Sequence, residues 1–412
     1  MTLALHGGKA VRATYLPYAR QDISASDRRA VDRILQSDFL TTGPAVPGFE
    51  QAFVNYVGCK SAIAFSNGTA ALHAAIYLLK LEPGDEVITT PLTFAATANV
   101  VMYEGGVPRF ADIDPDGNLC PQAVEDFITA NYRRAGKYWR HHDSGGRLRA
   151  VAVVHYTGRV VDMKPFHRLG ARYNLAVLED ASHALGAVYP GAKRPVGNST
   201  ASLAVTFSFH PVKIIAAGEG GMVAVRNRKL AGELAAFRHH GIVGANPANK
   251  LPVPGMEILG YNYRLSDIHC ALGESQLKRI ARFLHIRRGL VARYDKAFNG
   301  HDLLIPPRYR EGMTESAWHI YVIQLKSSEL AAGRNQVLAA LRAENIGANI
   351  HYIPVYHHPY YAGLKRYHKG DCPQAEKFCA CCITLPLFCR MSRRDVDDVV
   401  SAVNKVLAYY RC

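Results

Sequence analysis

Between about residues 60 and 226, short apolar runs rich in β-branched residues alternate with stretches of helical period. Ala62–Phe65, Glu86–Thr90, Pro108–Ile113, Ala150–His155, Leu175–Glu179, Leu203–Phe207 and Met222–Val225 read as strands. Ala70–Leu81, Ala95–Glu104, Pro121–Ala130 and Met163–Tyr173 read as helices. This alternation predicts a mostly parallel sheet covered on both faces. After about residue 260 the pattern changes to one long helix, Asp267–Tyr294, and then to a strand-and-helix mixture that closes with Arg393–Tyr409. The expectation is an α/β protein with a large domain over residues 1–255 and a smaller C-terminal α/β domain over 256–412, the boundary falling near Pro252–Gly260.

In such a sheet, ligands gather where strands end and helices begin. After Ala62–Phe65 comes Ser66-Asn67-Gly68-Thr69, then a helix. A helix N-terminus there offers free N–H groups and a hydroxyl to a phosphate, although Ser, Asn and Thr are also ordinary N-caps. Phe94, just past a strand end, could stack on a planar ring or sit in the core. The run LAVLED ends in Glu179-Asp180, and a carboxylate closing a buried strand calls for a cationic partner such as a protonated pyridine nitrogen. His183, three residues on, could orient that aspartate or bond the same ligand; a capping Asp with a surface His is the plainer alternative.

The segment FSFHPVKIIAAGEGGMVAV carries the most chemistry. A strand ends at Ser208, Pro211 turns the chain, and Lys213 follows in an apolar stretch before a Gly-rich reversal. Burial there lowers an ammonium pKa and frees the amine to attack an aldehyde. Ser208 can reach the same phosphate as Thr69.

Charge and cysteine usage narrow the function classes. The chain has 49 Lys and Arg against 34 Asp and Glu in 412 residues, a net +15. The basic residues are scattered except for Arg133–Arg149, which reads as a solvated insertion rather than a nucleic-acid site. A positive field also draws a polyanionic small substrate. Nine cysteines, an odd number, fit reduced thiols. Neither a secretory apolar core nor a membrane-spanning apolar run is present, so a cytoplasmic protein without membrane or nucleic-acid partners is expected.

The ordered set Gly68-Thr69, Phe94, Asp180, Ser208 and Lys213, with EDASHALGA, SFHPVK…GEGG and GYNYRLSDIHCALGESQL, resembles the DegT/StrS-type sugar aminotransferases. The resemblance covers nearly the whole chain. It implies a fold-type-I (aspartate aminotransferase-like) pyridoxal-phosphate (PLP) transferase, with a three-layer, mixed-sheet large domain and a small domain. It implies PLP as a Schiff base on Lys213, Asp180 on the pyridine nitrogen, His183 beside them and Phe94 on the ring. Gly68, Thr69, Ser208 and, across a homodimer interface, Asn262 of the neighbouring copy would hold the phosphate. L-Glutamate is the implied donor. Within the family, IHYIPVYHHPYY and FRHHGI are similar to the branch that aminates the C4 ketone of a UDP-linked 4-keto-6-deoxy sugar toward pseudaminic acid. Thr42, Arg264, Tyr321, His351 and Tyr352 are the implied substrate contacts. The sequence departs from the family's pattern at Ala216 and Ala217, where threonines usually follow the lysine. Three other readings stand beside this one. They are a sugar aminotransferase of different specificity (GDP-perosamine type), a PLP sugar dehydrase using Cys379, Cys381 and Cys389 for an iron–sulfur cluster, and a non-catalytic PLP-binding regulator.

Overall fold

The computed structural model describes residues 2–244, 254–307 and 316–412. Nine strands make one sheet: β1 (Ser61–Phe65), β2 (Glu86–Thr89), β3 (Val107–Phe110), β4 (Tyr132–Ala135), β5 (Tyr138–His141), β6 (Arg147–Val154), β7 (Ala176–Asp180), β8 (Ala204–Ser208) and β9 (Gly221–Val225). Their order is β1-β9-β8-β7-β6-β2-β3. The strands β3, β2, β6, β7 and β8 run parallel, as the alternating pattern predicts, with a helix in each crossover but the irregular one from β7 to β8. β9 is antiparallel to both β8 and β1, so β1 again runs with β8. The C-terminal ends of β1, β2, β6, β7 and β8 therefore share one rim.

Central strands are buried on both faces, which is why they read as continuous apolar runs. In β7, Val177 packs into a cluster with Phe49, Phe53, Phe166 and Phe207, while Leu178 packs into another with Ile76, Val100, Val101 and Leu234. Alternation then places Glu179 and Asp180 on opposite faces. Helices Gly68–Tyr77, Ala96–Tyr103 and Arg228–Arg238 cover one face, and Ala45–Val57, Pro121–Asn131 and Met163–Tyr173 cover the other.

Two expectations are corrected, those of a single long helix and of a division at residue 255. The basic stretch carries regular structure: β4 and β5 form an antiparallel hairpin, and β5 pairs with the start of β6. Buried Glu86 ties it down by accepting from Tyr132 Oη at 2.5 Å and Ser144 Oγ at 2.7 Å, while Asp85 receives Arg147 at 2.8 Å and Arg149 at 2.7 Å. The long helix is two, Asp267–Leu277 and Ile280–Phe298. At the break, Gln276 and Arg279 turn to the buried Asp27 carboxylate and to the carbonyl of Asp22. Finally, packing does not divide at residue 255. Cys270, Leu277, Ile280, Phe283 and Leu284 join the large sheet's core, and Leu3 and Leu16 join the second core with Leu290, Ile323, Leu385 and Val403. Residues 252 and 253 of the expected boundary lie outside the described residues. The second core wraps a three-stranded antiparallel sheet, Leu304–Ile305, Tyr321–Leu325 and Cys382–Leu385.

Candidate active site

The shared rim opens into a cavity of about 1090 Å³, lined also by Asn349–Ile353 and His319 of the smaller part and by Tyr18. Gly68, Thr69, Phe94, Asp180, His183, Ser208, Lys213, His351 and Tyr352 all line it.

One corner suits a phosphate. Asn67 caps the helix Gly68–Tyr77, its side chain accepting from Ala70 N at 2.8 Å, so the Gly68 and Thr69 N–H groups stand at the positive helix end. Ser208, closing β8, packs against Gly68. A Cβ at position 68 would lie 2.7 Å from Ser208 Cβ and 2.9 Å from its Oγ, so only glycine admits the hydroxyl this close.

Asp180 is buried at the end of β7, accepting from Thr97 Oγ1 at 2.8 Å and Ser182 N at 3.0 Å. Both bonds fix the direction of the carboxylate. Thr97 in turn meets Thr93 Oγ1 at 2.9 Å. Lys213 sits in a turn closed by its own N–H to His210 O at 2.8 Å. Burial lowers its ammonium pKa to about 8, against the opposing pull of Asp180. Such an amine is a nucleophile and a proton carrier near neutral pH.

Three imidazoles stand near the lysine. His183 Nε2 meets Tyr352 Oη at 3.1 Å and His351 Nδ1 meets Thr384 Oγ1 at 2.9 Å. Burial and then Lys213 hold His351 down to about 3, and burial, foremost, holds His183 and His319 well below the ordinary histidine value. Phe94 is 63% exposed at the mouth, its ring 6.4 Å from that of Tyr352.

The remaining expected contacts lie elsewhere. Thr42 and Arg264 line a second cavity of about 450 Å³ with Arg238 and His239, where Arg264 Nη1 meets His239 Nδ1 at 2.9 Å. Asn262 is exposed beside it and bridges His239 through the backbone. Tyr321 is not in the active cavity: it is fully buried in the second core, stacked on Tyr294 and donating to Asp295 Oδ1 at 2.8 Å. Strand alternation turns it inward, which corrects its expected role as a substrate contact.

Sequence reasoning missed Tyr18, Thr97 and His319. Only His319 left a signal, as a polar residue inside the apolar run SAWHIYV. Cys379 and Cys382 are buried and Cys389 is half-buried, its thiol donating to Phe283 O. Among the described residues no group of three or more His, Cys, Asp or Glu is placed to hold a metal.

A mixed sheet in this order, with a strand-end aspartate, a buried lysine and a glycine-framed helix end, defines a fold-type-I PLP-dependent transferase, and pyridoxal phosphate is its cofactor. The chain belongs to the DegT/DnrJ/EryC1/StrS aminotransferase family, which it matches over residues 21–404, and it is a sugar aminotransferase. It is 36% identical over 403 residues to the spore coat polysaccharide biosynthesis protein SpsC of Bacillus subtilis, covering 96% of this chain and 98% of that one. It is 35% identical over 401 residues to the UDP-4-amino-4,6-dideoxy-N-acetyl-β-L-altrosamine transaminase of Campylobacter jejuni, covering 96% and 99%. The structure of PseC from Helicobacter pylori, an aminotransferase of pseudaminic acid biosynthesis, superposes with a TM-score of 0.85 at 29% identity, covering 96% and 100%.

Proposed function

We propose that this enzyme moves an amino group from L-glutamate to the C4 ketone of a UDP-linked 4-keto-6-deoxy sugar, in the biosynthesis of pseudaminic acid or a similar surface sugar. The observation that carries the amine-transfer chemistry is Lys213, a buried amine with its pKa brought to about 8, in the same cavity as Asp180. The near full-length similarity to the Campylobacter transaminase supports the choice of sugar.

Bound pyridoxal phosphate supplies an aldehyde to carry the amino group and a ring that accepts electrons. Asp180, held by Thr97 and Ser182, would meet the ring nitrogen and keep it protonated. Phe94 would cover one face of the ring, and His183 would bond the ring's polar edge. Gly68, Thr69 and Ser208 would hold the phosphate. Lys213 would release the cofactor to the donor, take the proton from the donor's Cα, and return it to the cofactor's C4′ carbon. Its pKa suits both directions. The same groups then serve the ketone in reverse order. His351 and Tyr352 border the cavity where the sugar would lie.

Phe39, Leu40, Met256, Leu259 and Tyr261 are large apolar side chains left exposed, which a second copy could cover. In such a homodimer, Asn262 would reach the neighbour's phosphate, and Thr42 and Arg264 would border the neighbour's substrate. No described helix is long and apolar enough to cross a membrane, in keeping with the proposed cytoplasmic location.

The test presents purified holoenzyme with glutamate and a panel of UDP-, TDP- and GDP-linked 4-keto sugars. Mass spectrometry should show amine gain on a UDP sugar together with release of 2-oxoglutarate. Amination of GDP sugars alone would overturn the nucleotide assignment, and no amination of any sugar would overturn the reading.

A further inference from the structure

In the helix Gly68–Tyr77, every residue from Ala70 to Ile76 is buried, and all are apolar but His73. A ring buried that deeply needs partners for its nitrogens, and both have one. Nε2 meets Glu104 Oε1 at 2.8 Å and Nδ1 meets Tyr263 Oη at 3.1 Å. A carboxylate only accepts, so Nε2 is the donor to Glu104. Tyr103, Phe237, Tyr261 and Tyr263 close around the ring at centroid distances of 5.4, 5.3, 5.1 and 5.8 Å. An apolar side chain would fill this space without desolvating two ring nitrogens. What the imidazole adds is direction, not volume.

The directed element is the segment 261–263. Tyr261 and Tyr263 stack on each other at 4.8 Å and 11°, both on the side of His73. Their backbone is extended and held from both sides. Tyr261 N donates to Phe237 O at 2.8 Å, Tyr263 N to Arg238 O at 2.9 Å, and Ser66 N to Tyr263 O at 2.7 Å. Alternation turns Asn262 away from His73 and leaves it exposed.

The segment is therefore tied twice to the phosphate corner of its own copy, at Ser66 just ahead of Gly68 and at His73 just beyond it. Tyr263 lines the cavity that this corner belongs to, while Arg264 lines the second cavity together with Thr42. Successive side chains of one short strand thus serve different cavities.

We infer that His73 is a positioning residue, which through Tyr263 fixes the 261–263 segment so that Asn262 is aimed at the cofactor phosphate of the neighbouring copy. This rests on the reading of the enzyme as a homodimer with shared sites. His73 touches neither cofactor nor substrate. It acts through the Tyr263 hydroxyl and the backbone that this tyrosine holds.

The test uses mixed dimers, purified through two different tags, in which one copy carries Lys213→Ala. Only the other copy then links PLP covalently, and its absorbance during PLP titration reports one site alone. Second substitutions are placed in the Lys213→Ala copy, so any effect on the reporting site crosses the interface. Asn262→Ala there should weaken PLP binding by roughly tenfold, the size of a hydrogen bond to a charged group. His73→Phe keeps the ring packing and should weaken it by roughly fivefold, the size of one neutral hydrogen bond. Tyr263→Phe removes a single oxygen, keeps the stack and should act like His73→Phe, which guards against a folding defect in the larger change. His73→Phe combined with Asn262→Ala in that copy should weaken binding no further than Asn262→Ala alone. A structural role confined to the copy that carries it would leave the reporting site unchanged. If Asn262→Ala acts across the interface and neither His73→Phe nor Tyr263→Phe does, the inference is overturned and the shared-site reading stands. Fully additive losses from His73→Phe and Asn262→Ala overturn it as well. No effect of Asn262→Ala removes the shared-site reading and this inference with it.

Discussion

Thr97 Oγ1 donates to Asp180 Oδ2 at 2.8 Å, in a pocket where both side chains are buried. The bond spans two crossovers, from the helix after β2 to the end of β7. It fixes the direction of the carboxylate that the proposed function assigns to the pyridine nitrogen. Thr97→Val keeps the shape and removes the donor. A hydrogen bond to a charged group contributes about 1.5–3 kcal/mol, so PLP affinity should fall by roughly tenfold or more. Fluorescence titration of the apoenzyme would measure this, and an unchanged dissociation constant would contradict the role.

Gly68 is expected to tolerate no side chain. Alanine there would drive its Cβ to within 2.7 Å of Ser208 Cβ. The phosphate corner should open, with PLP affinity reduced by roughly tenfold or more and overall stability lowered by about 1 kcal/mol, the typical cost of one substitution. Equilibrium dialysis alongside a thermal melt separates the two effects.

The lysine makes a pH prediction whose sign is fixed. Its folded pKa is depressed from 10.5 to about 8, so the unfolded chain binds more protons between those values. Apoprotein stability should therefore gain from this group as pH rises from about 8 to about 10.5, and be lowest in this contribution below that window. The rate of covalent capture of added PLP should likewise rise through pH 8 and level off above it, as stopped-flow absorbance would show.

At the far end of the sheet, Asp85→Ala would leave Arg147 and Arg149 without their shared carboxylate. Stability should drop by about 3 kcal/mol, the low end for breaking a buried pair, because both arginines keep some contact with solvent. The glutamate half-reaction should be little altered, since the hairpin lies at the opposite end of β6 from the rim. Denaturant unfolding and single-turnover kinetics check the two halves.

Much of this site was legible because its residues sit at strand ends, where an apolar run stops on a group that does not belong there. Asp180 after Val177-Leu178 and Lys213 before Ile214-Ile215 stand out for that reason. Thr97 could not be found in the same way: inside a helix it reads as an ordinary polar residue, and only the packing of that helix on β7 gives it a partner. Tyr18 and His319 arrive from the N-terminal segment and the smaller part, through contacts with no periodic signature. The hairpin at 132–141 was hidden by its own charges. Arg133 and Arg134 stand exposed on the edge strand β4 and so read as a solvated insertion. Tyr321, a substrate contact implied by the resemblance alone, is turned into the core by the alternation of its strand.

The central claim is covalent attachment through Lys213. Holoenzyme reduced with borohydride and digested should yield a single pyridoxyl-modified peptide, with the added mass on Lys213. A modified peptide mapping to any other lysine, or unmodified Lys213 in protein that had bound the cofactor, would contradict the account.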